Sequence, residues 1–252
     1  DKAKSGFTKH PGSGKYVGRY NTISGYYSKT GSKPLANITR ATARTNSKNK
    51  GSKWGQYDFA SWCAVWLLYL VEFADWNSQS VIGIGICGSS SMANTGGTDS
   101  MNYHTGTAAS SRTTAGAVQY RNIENPWGNI WEWIDGVNFS DGTVYVCTTP
   151  ANYADDTTSG YTNAGTKTQS DGWIKAIGIS STAPWAFFPT EVGGSETTYI
   201  PDFASYSSGW RVLDVGGYYG GTTGYVGLFG FNANYTSSSS SSNVGARLLF
   251  HP

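Results

Sequence analysis

The tract 209–250, GWRVLDVGGYYGGTTGYVGLFGFNANYTSSSSSSNVGARLLF, constrains what this chain can fold into more than any other stretch. It opens and closes on apolar, strand-like blocks, Trp210-Arg211-Val212-Leu213 and Val244 to Phe250, with a third, Val226 to Phe231, between them. The remaining residues are almost all Gly, Tyr, Thr, Ser and Asn. Tyr offers large, rigid contact area at low entropic cost, and Ser, Gly and Asn adapt their hydrogen bonds to a partner, as in antibody loops. The pattern implies a rigid frame presenting small polar and aromatic side chains as a binding surface, held in place by the rest of the chain. In Leu228-Phe229-Gly230-Phe231 a two-residue alternation puts Phe229 and Phe231 on one face and Gly230 on the other, where substitution would be tolerated.

At 252 residues the chain is long enough for a substantial core in one large domain or two small ones. With only 13% charged residues and a net charge of +2, nothing draws it to nucleic acid or to an anionic membrane. The longest apolar run, Trp62 to Val71, is too short to span a bilayer, and no signal peptide is visible, though a chain beginning at Asp1 leaves open what preceded it. The three cysteines, Cys63, Cys87 and Cys147, are odd in number and far apart, with no CxxC pair, which excludes zinc-ribbon and thioredoxin-type readings.

In chain order, residues 1–15 read as a polar tail or connector, and a single domain is expected over 16–252. Residues 16–28 read as two short strands around a turn at Ser24-Gly25, and the basic run 40–53 as a solvated face. The clearest helix is 57–77, capped by Asp58, with Trp62, Val65, Trp66, Tyr69, Leu70 and Phe73 at spacings of three and four. Leu67, Leu68 and Val71 occupy its other faces, which implies burial on more than one side. The literal GxGxxG at 83–88 follows a helix and precedes a Ser/Gly/Thr loop, the wrong context for a dinucleotide fingerprint. Residues 115–123 read as a short helix or turn, and Trp131 and Trp133 alternate around Glu132 as in a strand with one buried face. Asp135-Gly136 is turn chemistry, Val137–Val146 a hairpin around Ser140-Asp141-Gly142, 148–170 a loop, and Trp173–Ile177 a strand. Ala183–Pro189 and Tyr199–Asp202 read as connectors. The sum is an α+β chain: short, mostly antiparallel strands, one long and one short helix, and long irregular loops.

No catalytic apparatus is legible. His10, His104 and His251 lie near no nucleophile motif, and no GxSxG, HExxH or P-loop occurs. Asp141, Asp155 and Asp156 read as solvated turns rather than calcium ligands. Among Glu124, Glu132, Asp135, Glu191 and Asp202 no spacing selects a glycosidase pair, and Glu132 between two Trp reads as a loop tie. The expectation is a protein that is not an enzyme, with no catalytic residue, metal or cofactor.

At Asn125–Gly136, NPWGNIWEWIDG, a resemblance enters. A GN-[VI]-WEW segment followed by Gly216-Gly217 and then Gly245-Ala246-Arg247 resembles the C-type-lectin fold in its formylglycine-generating-enzyme-like subclass, over most of the chain from Tyr16. That enzyme's C-terminal cysteine pair has no counterpart after Cys147, and Glu124-Asn125-Pro126 does not match the calcium motifs of sugar-binding lectins, so neither activity is implied. The closer resemblance is to variable proteins of diversity-generating retroelements and to phage tail receptor-binding proteins of the same build. In those families adenine-directed rewriting leaves Tyr, Ser, Thr, Gly, Asn and Asp at displayed positions, and 218–225 and 235–242 are similar to that output. The resemblance implies a variable ligand-binding region at 210–242 whose presented residues are Trp210, Tyr218, Tyr219, Thr222, Thr223, Tyr225, Gly230, Tyr235, Ser237, Ser239 and Ser241. It implies Gly216, Gly217, Gly227, Phe229, Asn232, Asn234, Asn243, Gly245 and Arg247 as constant scaffold. The implied partner is a protein or glycan receptor on a bacterial cell surface, without nucleic acid or membrane insertion. The implied setting is a homotrimer on a virion (phage tail) or on a prokaryotic cell surface. The alternatives are a degenerate formylglycine-generating-enzyme-like protein and a structural virion component with fixed contacts.

Overall fold

Alternating strand sequence dominates the chain, and strand pairing dominates the computed structural model, which describes residues 6–252. Among these residues three α-helices occur: α1 (Arg40–Lys48), α2 (Phe59–Phe73) and the single turn α3 (Ser78–Val81). The chain is α+β, mostly sheet, with most strands antiparallel. The central sheet has nine strands, of which eight run in the order Thr162–Thr166, Thr143–Val146, Trp131–Ser140, Trp210–Val215, Phe231–Ala233, Phe203–Tyr206, Gly172–Ile179 and Phe187–Val192. Val244–Gly245 adds parallel to Trp131–Ser140. The sheet curls until its ends meet, where the Thr168 amide donates to the Pro189 carbonyl at 2.8 Å. A second, four-stranded sheet brings together Phe7–Lys9, Tyr16–Gly18, Leu248–Phe250 and Trp54–Gln56.

The core lies between the central sheet and α2. Asp58 caps this helix, accepting from the Ser61 amide at 2.8 Å. Trp62 and Trp66, one turn apart, sit 4.2 Å apart between ring centroids. Trp66 meets Phe229 at 4.9 Å and Trp62 meets Phe231 at 6.2 Å. The expectation that α2 is buried on several sides is corrected: Leu67 is 49% and Val71 75% exposed. The stripe through Trp62, Val65, Trp66 and Tyr69 already fills the contact with the sheet, and Leu67 and Val71, one turn apart, share the opposite face.

Other corrections share one cause: residues that look polar locally are satisfied by distant partners. The basic run at 40–53 is not simply a solvated face, because it folds as α1 from Arg40, capped by Thr39. Arg40 and Arg44, on one side of α1, are buried. Arg40 donates to Asp155 and to the carbonyls of Ile134 and Val137, and Arg44 holds Asp135 through two bonds of 2.7 and 2.9 Å. Asp155 is therefore no solvated turn, and the Arg40 and Arg44 guanidiniums hold its carboxyl below the usual range against the cost of burial. Asp135-Gly136 is not a turn either, but lies inside the Trp131–Ser140 strand with both faces covered.

Of the short helix or turn expected at 115–123 the structure has a turn, at Arg121-Asn122, inside a β-hairpin of Val118–Tyr120 and Ile123–Glu124. The loop 148–170 contains the Thr162–Thr166 strand, and the 183–189 connector runs into the Phe187–Val192 strand. The tail expected at 1–15 is folded from Phe7, whose strand pairs with Tyr16–Gly18, while residues 1–5 lie outside the described residues. The hairpin 137–146 forms as expected, with Asp141 and Gly142 at φ of 46° and 82°, the doubly left-handed turn that suits two twisted strands.

Candidate recognition surface

Three neighbouring strands, Trp131–Ser140, Trp210–Val215 and Phe231–Ala233, build the floor of the C-terminal tract. Strand alternation divides its side chains. Leu213, Val215 and Phe231 enter the main core, while Val212 joins Trp131, Trp133 and Val244 in a smaller cluster. Tyr218, Tyr235 and Ile38, each half-buried, pack against that smaller cluster. Tyr235 sets its ring edge-on to Trp133 at 5.6 Å, and Tyr218 and Tyr219 stand edge to face at 5.5 Å. Between floor and tyrosines the chain turns through Gly216-Gly217, at φ of 87° and 81°. A Cβ on Gly217 would come within 2.5 Å of the Tyr225 carbonyl oxygen, so only glycine fits there.

The eleven expected contact residues do not form one patch. Tyr218, Tyr219 and Tyr235 stand together over Trp131 and Trp133. Thr222, Thr223 and Tyr225 form a second group, in which Tyr225 is 40% exposed and lies 4.6 Å from Phe203 and 6.5 Å from Trp173. Trp210 is half-buried at the far end of its strand, 6.2 Å from Tyr145. Within the serine run the orientation is the reverse of the one expected. Ser237, Ser239 and Ser241 are half-buried, and Ser238, Ser240 and Ser242 face solvent. The Ser237 hydroxyl reaches the Asp156 carboxylate at 2.5 Å, and the Ser241 carbonyl accepts from the Asn37 amide at 2.9 Å.

Gly230 is not a presented position. It is buried, and the alternation read through 228–231 fails because 227–229 is a turn, closed by the Gly230 amide on the Gly227 carbonyl at 3.2 Å. A Cβ on Gly230 would lie 3.2 Å from that same carbonyl oxygen. The apolar block 226–231 is thus a turn that delivers Phe229 and Phe231 to the core, and only its last residue is strand. Of the expected brackets, Asn243 fastens the frame by accepting from the Trp131 amide at 2.9 Å, whereas Asn234 is exposed.

Sequence reasoning missed three contributors. The loop after the GxGxxG holds the tyrosine segment by its backbone: the Gly88 amide donates to Gly221 at 2.9 Å and the Ser89 amide to Tyr219 at 2.7 Å. Asn129 joins them, its carbonyl accepting from the Tyr219 amide at 3.0 Å and its side chain from Ala93 at 2.8 Å. Trp173 and Phe203 extend the aromatic surface beside Tyr225. The only signal for the first two was glycine density, and there was none for the last.

Two buried carboxyls lie beneath the tract. Asp202 accepts from the Phe229 amide at 2.8 Å and thereby fixes the 227–229 turn, and burial pushes its pKa up to about 7. Asp214, facing Asn232 and Trp133 across the sheet, is fully buried, which raises its pKa well above the usual carboxylate range. A carboxyl whose folded pKa exceeds its unfolded value of 3.8 stabilises the fold most below that value. For Asp202 this contribution is lost as pH rises from about 4 to about 7. Asp202→Asn keeps an acceptor for the Phe229 amide without the titration. The melting temperature of the unmodified chain minus that of Asp202→Asn is therefore expected to fall across that window, and a flat difference would contradict this.

Neither a family model nor a curated protein matches the chain. Among solved structures, Treponema denticola variable protein 1 is similar over 94% of this chain and 84% of its own, at 11% identity and a TM-score of 0.37, a weak structural relation.

Proposed function

We propose that the chain is a non-enzymatic recognition protein that displays a variable surface on a C-type-lectin fold, in the manner of diversity-generating retroelement variable proteins. Its ligand is a protein or glycan receptor on a bacterial cell surface, as in phage receptor binding. The observation that carries this reading is the division of labour within the C-terminal tract. Val212, Leu213, Val215, Phe229 and Phe231 are buried in the two cores, while Tyr218, Tyr219, Tyr225 and Tyr235 stand half-buried or exposed on top of them. A half-buried Tyr is anchored by its ring and still offers a face and a hydroxyl, the form in which aromatic residues dominate binding energy. The two sets are separated by backbone constraints at Gly216-Gly217 and at the Asp202-bonded turn, so side chains on the outside can change without disturbing the frame.

On this reading the presented residues are Tyr218, Tyr219, Thr222, Thr223, Tyr225 and Tyr235, which are half-buried or exposed, together with the exposed Ser238, Ser240 and Ser242. The test applies the labelled protein to a panel of bacterial cells and to protein and glycan arrays. The unmodified chain is expected to bind a subset, and the variant with Ser at Tyr218, Tyr219, Tyr225 and Tyr235 to lose that subset. Undiminished binding by the variant, or no binding by the unmodified chain, would remove the basis for this reading.

A further inference from the structure

A cleft lies away from the C-terminal tract, where the loop after the first strand meets the turn of the Val118–Ile123 hairpin. It is a cleft of about 560 Å³ lined by Lys9, His10, Ser13, His104, Arg121 and Asn122 among others, with no carboxylate in the lining. Three separate segments bring Lys9, His104 and Arg121 to it. His10 adds no charge, because burial lowers its pKa to about 4.

Arg121 breaks a local rule to be there. Together with Asn122 it forms the two-residue turn of the hairpin, with φ of 49° and 66°. Asn and Gly populate such positions readily, and Arg does so only at a cost in backbone strain. A strained residue held by its surroundings points to a use for its side chain. The strain is maintained by the neighbouring loop: the Asn122 amide donates to the His104 carbonyl at 2.8 Å and the Arg121 amide to the Thr105 hydroxyl at 3.1 Å. The same hydroxyl lies 2.8 Å from His104 Nδ1. Glu72 accepts from Arg121 Nε at 3.0 Å, and the Tyr120 hydroxyl, itself donating to Glu72 at 2.8 Å, lies beside the guanidinium. The exposed Arg121–Glu72 pair is too weak a reason for a left-handed Arg.

We propose that this cleft is an oxyanion-binding site, taking a phosphate or sulfate group, free or as an ester on a larger ligand, on Lys9, His104 and Arg121. Guanidinium and ammonium donors make short, charge-assisted bonds to such oxygens, and the one carboxylate bonded to them, Glu72 on Arg121, lies outside the lining. The site is independent of the surface proposed for recognition, and its test leaves that surface untouched.

The test is calorimetric titration of the whole chain at low ionic strength with inorganic phosphate, sulfate and phenyl phosphate, with chloride as the control for charge screening. Arg121→Asn is the decisive variant, because Asn suits the left-handed turn and keeps the hairpin. The unmodified chain is expected to show saturable oxyanion binding that chloride does not reproduce. Arg121→Asn is expected to weaken it by about tenfold or more without a lower melting temperature. Tighter binding of phenyl phosphate than of phosphate would assign the site to an esterified group, and the reverse to the free ion. Equal affinity in Arg121→Asn, no saturable binding by the unmodified chain, or an equal response to chloride would overturn the proposal.

Discussion

Arg247→Ala is expected to destabilise the chain by about 3–5 kcal/mol, the cost of leaving a buried carboxylate without its partner. Arg247 is fully buried and pairs with Glu132, itself buried between the two tryptophans of the WEW segment. Its terminal nitrogens also donate to the carbonyls of Gly18 and Arg19 at 2.9 and 2.8 Å, and to that of Glu124 at 2.7 Å. One side chain thus ties the C-terminal strand to the N-terminal sheet, to the ENP segment and to the central strand. Glu132 keeps one further bond, from Asn21 at 2.6 Å, which cannot neutralise its charge. Arg247→Lys should recover little, because an ammonium cannot span acceptors on opposite sides of a planar fork. Denaturant unfolding measures both variants, and a loss of under about 1 kcal/mol for Arg247→Ala would put the pair among weak surface bridges instead.

Phe229→Ala is the second large effect, expected at about 3–5 kcal/mol from lost burial and the cavity left behind. Phe229 meets the rings of Trp66, Tyr69 and Trp76 at 4.9, 5.8 and 5.1 Å, and its amide is held by Asp202. Two of the surrounding rings are themselves held: the Trp66 indole donates to the Leu228 carbonyl at 2.7 Å, and Tyr69 packs on Tyr120. Such a site collapses poorly, which places the cost towards the upper end. For a chain of this size the melting temperature should fall by on the order of 10 °C.

What the sequence disclosed tracks how local the cause is. The cap and stripe of α2 and the Asp141-Gly142 hairpin are set by neighbours in sequence and form where expected; the strand at Trp131–Trp133 forms too, but with both faces buried rather than one, because Glu132 is paired by the distant Arg247. The fate of α1 was hidden because Arg44 is satisfied by Asp135, 91 residues on, and Arg40 by Asp155, 115 residues on. Nothing near Arg40 distinguishes a buried arginine from a solvated one. Likewise the alternation drawn through Gly230 assumed a strand where Asp202 imposes a turn, and which serines of 237–242 face outward depends on the distant anchors Asp156 and Asn37. The tyrosine-bearing segments themselves were legible from composition, while the aromatic neighbours Trp173 and Phe203 were not.

The central claim is that the tyrosines are carried by the frame and do not build it. The most direct measurement is the thermal unfolding of the variant with Ser at Tyr218, Tyr219, Tyr225 and Tyr235, beside Phe229→Ala. Half-buried Tyr218 and Tyr235 contribute some packing, so a modest fall in melting temperature with a cooperative transition is expected, smaller for four substitutions than for the single Phe229→Ala. Loss of the cooperative transition in the four-site variant, or a fall exceeding that of Phe229→Ala, would show that these rings are structural and contradict the account.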